Sequence, residues 1–273
     1  MGCDYYHIPP GELGQGSRLP LKVLGSSGEV FYELALDMIR EIEAGNAAGR
    51  HTVLICPVGP VGQYPIFARL VNERRLSLER CWFINMDEYL TDDDEWIDEA
   101  DPLSFRGFMA REVYGRIDPE LLMPPEQRVF PDPHDPGRIE RLVEELGGVD
   151  ACFGGIGITG HLAFNEPVDG MGDEEFSRLP TRVVDIRPET RATNCAADLG
   201  GALEAMPRRA ITIGMCDILG ARKIRLGVFR GWHRAVCRRA AYGTPTADFP
   251  VTLAQAHPDA LLYVNDVAAG TPF

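Results

Sequence analysis

Residues 149–167 read VDACFGGIGITGHLAFNEP, and this stretch decides how the rest of the chain is read. An apolar run of strand length, residues 149–153, passes straight into a glycine-rich loop carrying a histidine, an asparagine, a glutamate and a proline. A short continuous apolar run fits a strand buried on both faces, as in a parallel sheet covered by helices. Gly155, Gly157 and Gly160 satisfy the dinucleotide pattern G-x-G-x-x-G. That pattern works by presenting the N-terminus of a following helix to a pyrophosphate. Pro167 comes too soon after Gly160 for such a helix. Asp173, Glu174 and Glu175 follow no recognisable second strand, so none of them stands as the ribose acid. The stretch argues against a nicotinamide cofactor. Its glycines instead let backbone amides approach an anion or a sugar closely.

Runs of the same kind recur at 52–56 (TVLIC), 81–85 (CWFIN), 182–186 (RVVDI), 210–214 (AITIG), 224–229 (IRLGVF) and 260–264 (ALLYV). Amphipathic patterns lie between them at 27–43, 65–75, 104–114, 137–146 and 232–241. The first opens with a serine cap and has Val30, Leu34, Met38 and Ile42 on one stripe. Strand–helix alternation predicts an α/β fold: a Rossmann-like three-layer sandwich, mostly parallel, with helices on both faces. There is no internal repeat. The proline-rich segment 119–136 is too apolar for an interdomain linker and reads as an ordered connection. Residues 1–273 are expected to form a single α/β domain, with 1–20 as an N-terminal extension.

With 273 residues, 45% hydrophobic and 25% charged, the chain can bury a sizeable core and is no disordered or collagen-like polymer. Its 27 basic and 41 acidic residues leave a net charge of −14, which repels phosphate backbones and anionic lipid. Nucleic-acid and membrane partners are therefore not expected. A phosphorylated small molecule stays open, because a few local cations suffice to bind one. No apolar run approaches the ~20 residues that span a bilayer. The opening MGCDYYHIPPGELGQG has neither the basic nor the apolar part of a signal peptide. It begins like a myristoylation signal, with Cys3 as a second acylation site, but Tyr6 stands where that signal takes Ser or Thr. The seven cysteines form no C-x-x-C and several sit in apolar runs, as reduced buried thiols of a cytoplasmic protein do. The histidines do not pair with them at zinc-ligand spacing, so no metal is expected. The acidic segment 90–101 reads as a solvated loop without the glycine of a calcium loop.

In an open α/β sheet, ligands bind beyond the carboxyl ends of the strands. Four strand ends carry chemistry: Pro57 to Gln63, Met86 to Tyr89, Gly154 to Pro167, and Arg230 to Arg234. They offer glycine turns, the acids Asp87 and Glu88, a histidine with Glu166 five residues on, and cations. Asp87, just past a buried strand, suits the carboxylate base that takes a proton from carbon beside a carbonyl. A carboxylate near His161 is expected to raise its pKa and fix its tautomer, for proton transfer to a sugar ring oxygen.

The segment Asn85-Met86-Asp87-Glu88-Tyr89 and the loop from Gly154 through Gly160-His161-Leu162-Ala163-Phe164-Asn165-Glu166-Pro167 resemble the two signatures of the glucosamine-6-phosphate deaminase (isomerase) family. Weaker echoes at 210–214, 231–235 and 257–260 extend the resemblance over residues 21–266. It implies a Rossmann-like sheet and an enzyme without metal or cofactor that isomerises an aldose to a ketose and expels ammonia. Carried over by position, Asp87 moves a proton between C2 and C1. His161 assists ring opening, Glu166 tunes it, and Arg234 stands where the family has a phosphate-binding lysine. Gly59, Gly62, Glu88, Gly155, Gly157, Thr159 and Gly160 fall in the substrate-binding loops. The partner is a small-molecule sugar or sugar phosphate, and self-association into a homo-oligomer stays open.

Three departures bear on the substrate. Thr159 replaces an aspartate two residues before the histidine. Gly59-Pro60-Val61-Gly62 replaces a glycine-glycine-threonine turn, losing an amide donor and a hydroxyl. Ala196 falls where the family places a phosphate-binding arginine. An altered sugar substrate is expected, unless Arg191, Arg230 or His233 rebuilds the phosphate site. Two other readings use the same scaffold: a 6-phosphogluconolactonase-like hydrolase, which would lack the Asn-Glu-Pro ending, and a non-catalytic sugar-binding effector, for which no helix-turn-helix region is visible.

Overall fold

The structure is a computed structural model that describes residues 4–273. Gly2 and Cys3, on which the lipidation reading rests, lie outside the described residues. The strands are β1 (Leu21–Leu24), β2 (Thr52–Cys56), β3 (Cys81–Asn85), β4 (Asp87–Leu90), β5 (Arg128–Val129), β6 (Ala151–Gly154), β7 (Arg182–Asp185), β8 (Arg209–Thr212), β9 (Ile224–Val228) and β10 (Ala260–Asn265). The helices are α1 (Ser27–Ala47), α2 (Gln63–Arg74), α3 (Phe105–Glu112), α4 (Arg138–Glu145), α5 (Asp173–Ser177), α6 (Pro188–Asp198), α7 (Met215–Gly220), α8 (His233–Tyr242) and α9 (Asp266–Ala269).

Among the described residues, seven strands form one parallel sheet in the order β1-β10-β9-β6-β2-β3-β5. β2 shows why this sheet is legible. All five of its residues are buried. Val53 and Ile55 enter one core with α4, α7 and α8, while Leu54 and Cys56 enter the other with α1 and α2. The two-residue period of a strand sends successive side chains to opposite helical layers. The α/β three-layer fold is as expected, and the helix α1 is capped by Ser26, whose hydroxyl accepts from Glu29 N at 3.2 Å.

Two expected strands belong elsewhere. Segments 182–186 and 210–214 do not join the parallel sheet. As β7 and β8 they form a separate antiparallel sheet with β4, in the order β4-β8-β7. Their pattern is mixed because β7 is only half-buried, whereas β8 is buried at three of four positions. A third core, with Tyr89, Phe164, Ile186, Cys195 and Met206, packs around this small sheet. The edge strands β1 and β5 and the acidic β4 also went unread in the sequence, being short or lacking an apolar run.

The sheets meet at Met86. Its N–H donates to Cys56 O of β2 at 3.0 Å, and its carbonyl accepts from Ile213 N, just past β8, at 2.8 Å. Asp87 therefore begins the second sheet two residues after Asn85, with Met86 alone between the two strands.

Ahead of β1, Leu13 and Leu19 are buried, and Arg18 N bonds Ala241 O at 2.8 Å. The segment is held by Arg238 of α8, whose guanidinium is fully buried with no carboxylate partner among the described residues. It donates to Ile8 O (3.2 and 2.8 Å), Arg234 O (3.0 Å), Gly270 O (2.8 Å) and Ala269 O (2.8 Å). A buried cation is tolerable when every donor is satisfied. Arg238→Ala leaves four carbonyls without these donors and opens a void. It is expected to cost about 3 kcal/mol or more, read as a lower urea midpoint at unchanged m-value.

Candidate active site

β9, β6, β2 and β3 are neighbours in the sheet, so the four strand ends singled out in the sequence converge on one edge. The strands stay parallel, but the order in which they are added across the sheet reverses between β2, which leads on to β3 on one side, and β6, which leads on to β9 on the other. Such a switch point opens a crevice between the loops that follow the two strands. Here it opens a cleft of about 690 Å³. Asp87 and His161 line it, with Gly59, Gly62, Gly155 and Gly157 from the two glycine loops.

Asp87 is buried, and its carboxylate accepts no hydrogen bond from the protein among the described residues. Burial, then the adjacent Glu88 charge, pushes its carboxyl well above the ordinary carboxylate range. A carboxylate that is unsatisfied and reluctant to ionise is a strong proton acceptor once charged.

His161 is buried against Gly157. A Cβ on Gly157 would lie 1.9 Å from ring atoms Cε1 and Nε2, so only glycine leaves room for the imidazole. Gly160 turns the loop at φ +78° and packs under Phe249. Thr159 Oγ1 lies 2.8 Å from His161 Nδ1, whereas Glu166 Oε1 is 3.7 Å away. Glu166 is occupied otherwise: Arg187 N donates to it at 2.6 Å and the Thr190 hydroxyl also donates to it. Burial raises the Glu166 carboxyl, and these two donors oppose the rise. The expected rise in the His161 pKa does not occur. Burial lowers it to about 4, because desolvation of the ring outweighs a carboxylate that is already hydrogen-bonded.

The loop is tied to the small sheet. Phe164 N donates to Thr212 Oγ1 at 3.0 Å, Asn165 Nδ2 to Ile213 O at 2.9 Å, and Arg182 to Asn165 Oδ1 at 2.8 Å. Asn165 is thus a brace.

Four sequence-predicted binding residues do not line the cleft: Thr159 and Gly160 lie behind the His161 ring in its loop, and Glu88 and Arg234 are turned to other partners; Glu166 does not line it either. Glu88 points the other way from Asp87 and Tyr89, as strand alternation requires. Its fully buried carboxylate accepts from Tyr89 N (2.9 Å), Ser104 Oγ (3.0 Å), Phe105 N (3.0 Å), Arg106 N (2.9 Å) and Arg106 Nε (3.3 Å), capping α3. Arg234 does not line the cleft; its Nε donates to Val267 O at 3.0 Å.

The sites offered to rebuild a phosphate grip fare unequally. Arg191 donates to the carbonyls of Pro207 (3.1 Å), Leu203 (3.2 Å) and Met206 (2.9 Å). His233 accepts from Phe229 N (3.1 Å) and Arg230 N (2.9 Å) at Nδ1 and bonds Ile156 O (3.1 Å) through Nε2. Its ring therefore carries the proton on Nε2, is neutral, and has its pKa lowered to about 3 by burial. Arg230 is the one fixed cation among the described residues lining the cleft, and Asp198 shares that lining. Burial raises the Asp198 carboxyl, and Arg230 opposes the rise. The sequence reading missed Asp198, Asn194 and Tyr89. Asn194 donates to Tyr89 Oη at 3.1 Å, and it shares a face of α6 with Asp198 at i, i+4. That spacing was the available signal. Much of the remaining wall is apolar: Phe31 and Phe229 meet edge to face at 4.9 Å, beside Val61, Trp232 and Ala197.

No family model matches the chain. A glucosamine-6-phosphate deaminase of Rhodopirellula baltica is 32% identical over 213 residues, covering 77% of this chain and 79% of that protein. The chain belongs to the glucosamine-6-phosphate deaminase family. It is an enzyme of that type. The solved structure of a monomeric glucosamine-6-phosphate deaminase superposes with a TM-score of 0.79 at 25% identity, covering 91% of this chain and 98% of the other. A 6-phosphogluconolactonase of Shewanella baltica shares the fold, with a TM-score of 0.59 at 17% identity over 90% of this chain and 97% of its own. Among the described residues, no helix is long and apolar enough to cross a membrane.

The depressed His161 pKa has a direct spectroscopic consequence. Protonation is disfavoured in the folded protein, so the ring stays neutral as pH falls through the ordinary histidine range of about 6.5. It gains its proton only near about 4. Nitrogen-15 NMR of labelled histidine should show neutral imidazole shifts for His161 from pH 8 down to pH ~5. Titration near pH 6.5 would show that Glu166 governs the ring after all.

Proposed function

We propose that this enzyme interconverts an aldose and a ketose, with or without release of ammonia, on a sugar or amino sugar other than glucosamine 6-phosphate. Asp87 is the base that moves a proton between C2 and C1. His161, neutral and hydrogen-bonded to Thr159, takes the proton of the anomeric hydroxyl and delivers it to the ring oxygen as the C1–O bond breaks and the ring opens. Glu166 acts through Thr190, Arg187 and its approach to Nδ1, as a positioning residue. The reading rests chiefly on one observation: an unbonded, buried Asp87 shares a partly apolar cleft with a neutral His161. A site of this kind needs no metal to polarise a substrate carbonyl if its own donors do so.

The substrate departure rests on charge. A phosphate dianion is held by several cations and amides together. This cleft offers Arg230 with Asp198 in the same wall, while Pro60 and Val61 supply neither an amide donor at 60 nor a hydroxyl at 61. A sugar whose anionic group sits elsewhere, or which has none, suits this lining better.

Asp87→Asn is expected to remove solvent deuterium uptake at C2 of accepted sugars, lowering turnover by about 10²–10⁴-fold. Sugar binding should persist. Turnover close to the parent enzyme would take Asp87 out of the chemistry, and hydrolysis of a sugar lactone without any exchange would favour the lactonase reading. The substrate itself is tested by steady-state kinetics on phosphorylated and free sugars. Glucosamine 6-phosphate should fall far short of the ~10⁵ M⁻¹s⁻¹ ordinary for kcat/KM on an enzyme's own substrate. A value at that level would restore the relatives' substrate.

A further inference from the structure

Away from the cleft, α4 and the start of α7 bring together Glu140, Cys216 and Asp217. One ligand atom from each lies within 4.8 Å of the others. Asp217 is 7% exposed, and its Oδ2 has no hydrogen-bond partner among the described residues; nor has Glu140 Oε2. Neither carboxylate takes part in an ion pair among the described residues. The nearby guanidinium of Arg182 is directed to Asn165 Oδ1 and Pro180 O. Thr181 gives an independent indication. Its N–H donates to Glu140 Oε1 at 2.6 Å, yet its hydroxyl, on a residue 4% exposed, is buried with no partner. Two unpartnered carboxylate oxygens beside a thiol are costly in a packed interior, and burial raises the Asp217 carboxyl although the Cys216 thiol and the Gly214 backbone oppose the rise.

We propose that Glu140, Cys216 and Asp217 form a binding site for a divalent cation of the zinc class, with the Thr181 hydroxyl available as a further donor. A thiolate with two carboxylates is a borderline-soft ligand set that suits zinc over calcium or magnesium. Bonds of about 2.0–2.3 Å place tetrahedral ligand atoms roughly 3.5 Å apart. The three atoms need close by only about an ångström from the 4.8 Å limit. As the metal–sulfur bond forms, the thiol proton leaves to solvent, and the cation neutralises the two carboxylates. The site would clamp α4, which packs on the large sheet, to α7, which follows the small one. It takes no part in the reaction.

The test uses the full chain, stripped with a chelator and titrated with Co²⁺ alone. One ion per chain should bind, with a thiolate-to-cobalt absorption band and a rise in melting temperature. Zn²⁺ should displace it. Cys216→Ser should lose the band. Asp217→Asn and Glu140→Gln should weaken binding by about 10–100-fold or more, with native far-UV circular dichroism in all three. An absent or non-saturating band overturns the proposal, as does binding that all three variants retain.

Discussion

Met86 is one peptide unit serving two sheets, and the site depends on it. Its N–H bonds a strand of the parallel sheet and its carbonyl bonds Ile213, just past the central strand of the antiparallel one. The residue after it must then begin a strand under new rules, with a two-residue period counted from Asp87. Asp87 and Tyr89 face the cleft as a result, and Glu88 faces α3. The base, the tyrosine that holds α6 through Asn194, and the cap that orients α3 are three consequences of one register. The histidine loop is referred to the same frame, because Thr212 and Ile213 hold both it and Met86.

This explains which parts of the molecule could be read without coordinates. Strands buried on both faces, such as TVLIC and CWFIN, announce themselves because every position must be apolar. β4, with the sequence DEYL, cannot, since two of its four side chains are acids: Glu88 is buried against tertiary partners and Asp87 faces the cleft. The helix α6, PETRATNCAAD, has few large apolar residues and hides its face from periodicity, so Asp198 and Asn194 escaped notice while Ala196 did not. Short motifs identified the base, the histidine and the glycine that accommodates it, because there the local sequence and the local geometry are the same thing. The destination of a long side chain is different. Arg191 and Arg234 have the right type, and Arg234 the right strand end, yet both terminate on backbone carbonyls of other segments.

The electrostatics of the cleft follow from the same point. Guanidinium groups elsewhere act as mortar between loops, as Arg238 and Arg191 do, and are unavailable to a ligand. Burial then sets the titration behaviour. It lifts the Asp87 carboxyl and depresses the His161 and His233 rings, so both rings are held neutral beside a carboxyl that favours its proton. A cavity arranged in this way carries little fixed charge for its size and discriminates by shape, apolar contact and proton affinity more than by attraction of an anion.

Arg238 gathers Ile8 from one end of the chain and Ala269 and Gly270 from the other, and Phe273 lies edge-on to Tyr6 and His7 at 6.2 and 5.4 Å. Residues 6–8 and residues 269–273 are therefore neighbours around one side chain. Connectivity and architecture are separable here: the described residues 4–273, joined by a short linker across this seam and opened at the exposed glycine Gly200, would keep the same sheets and cleft with a different order of synthesis.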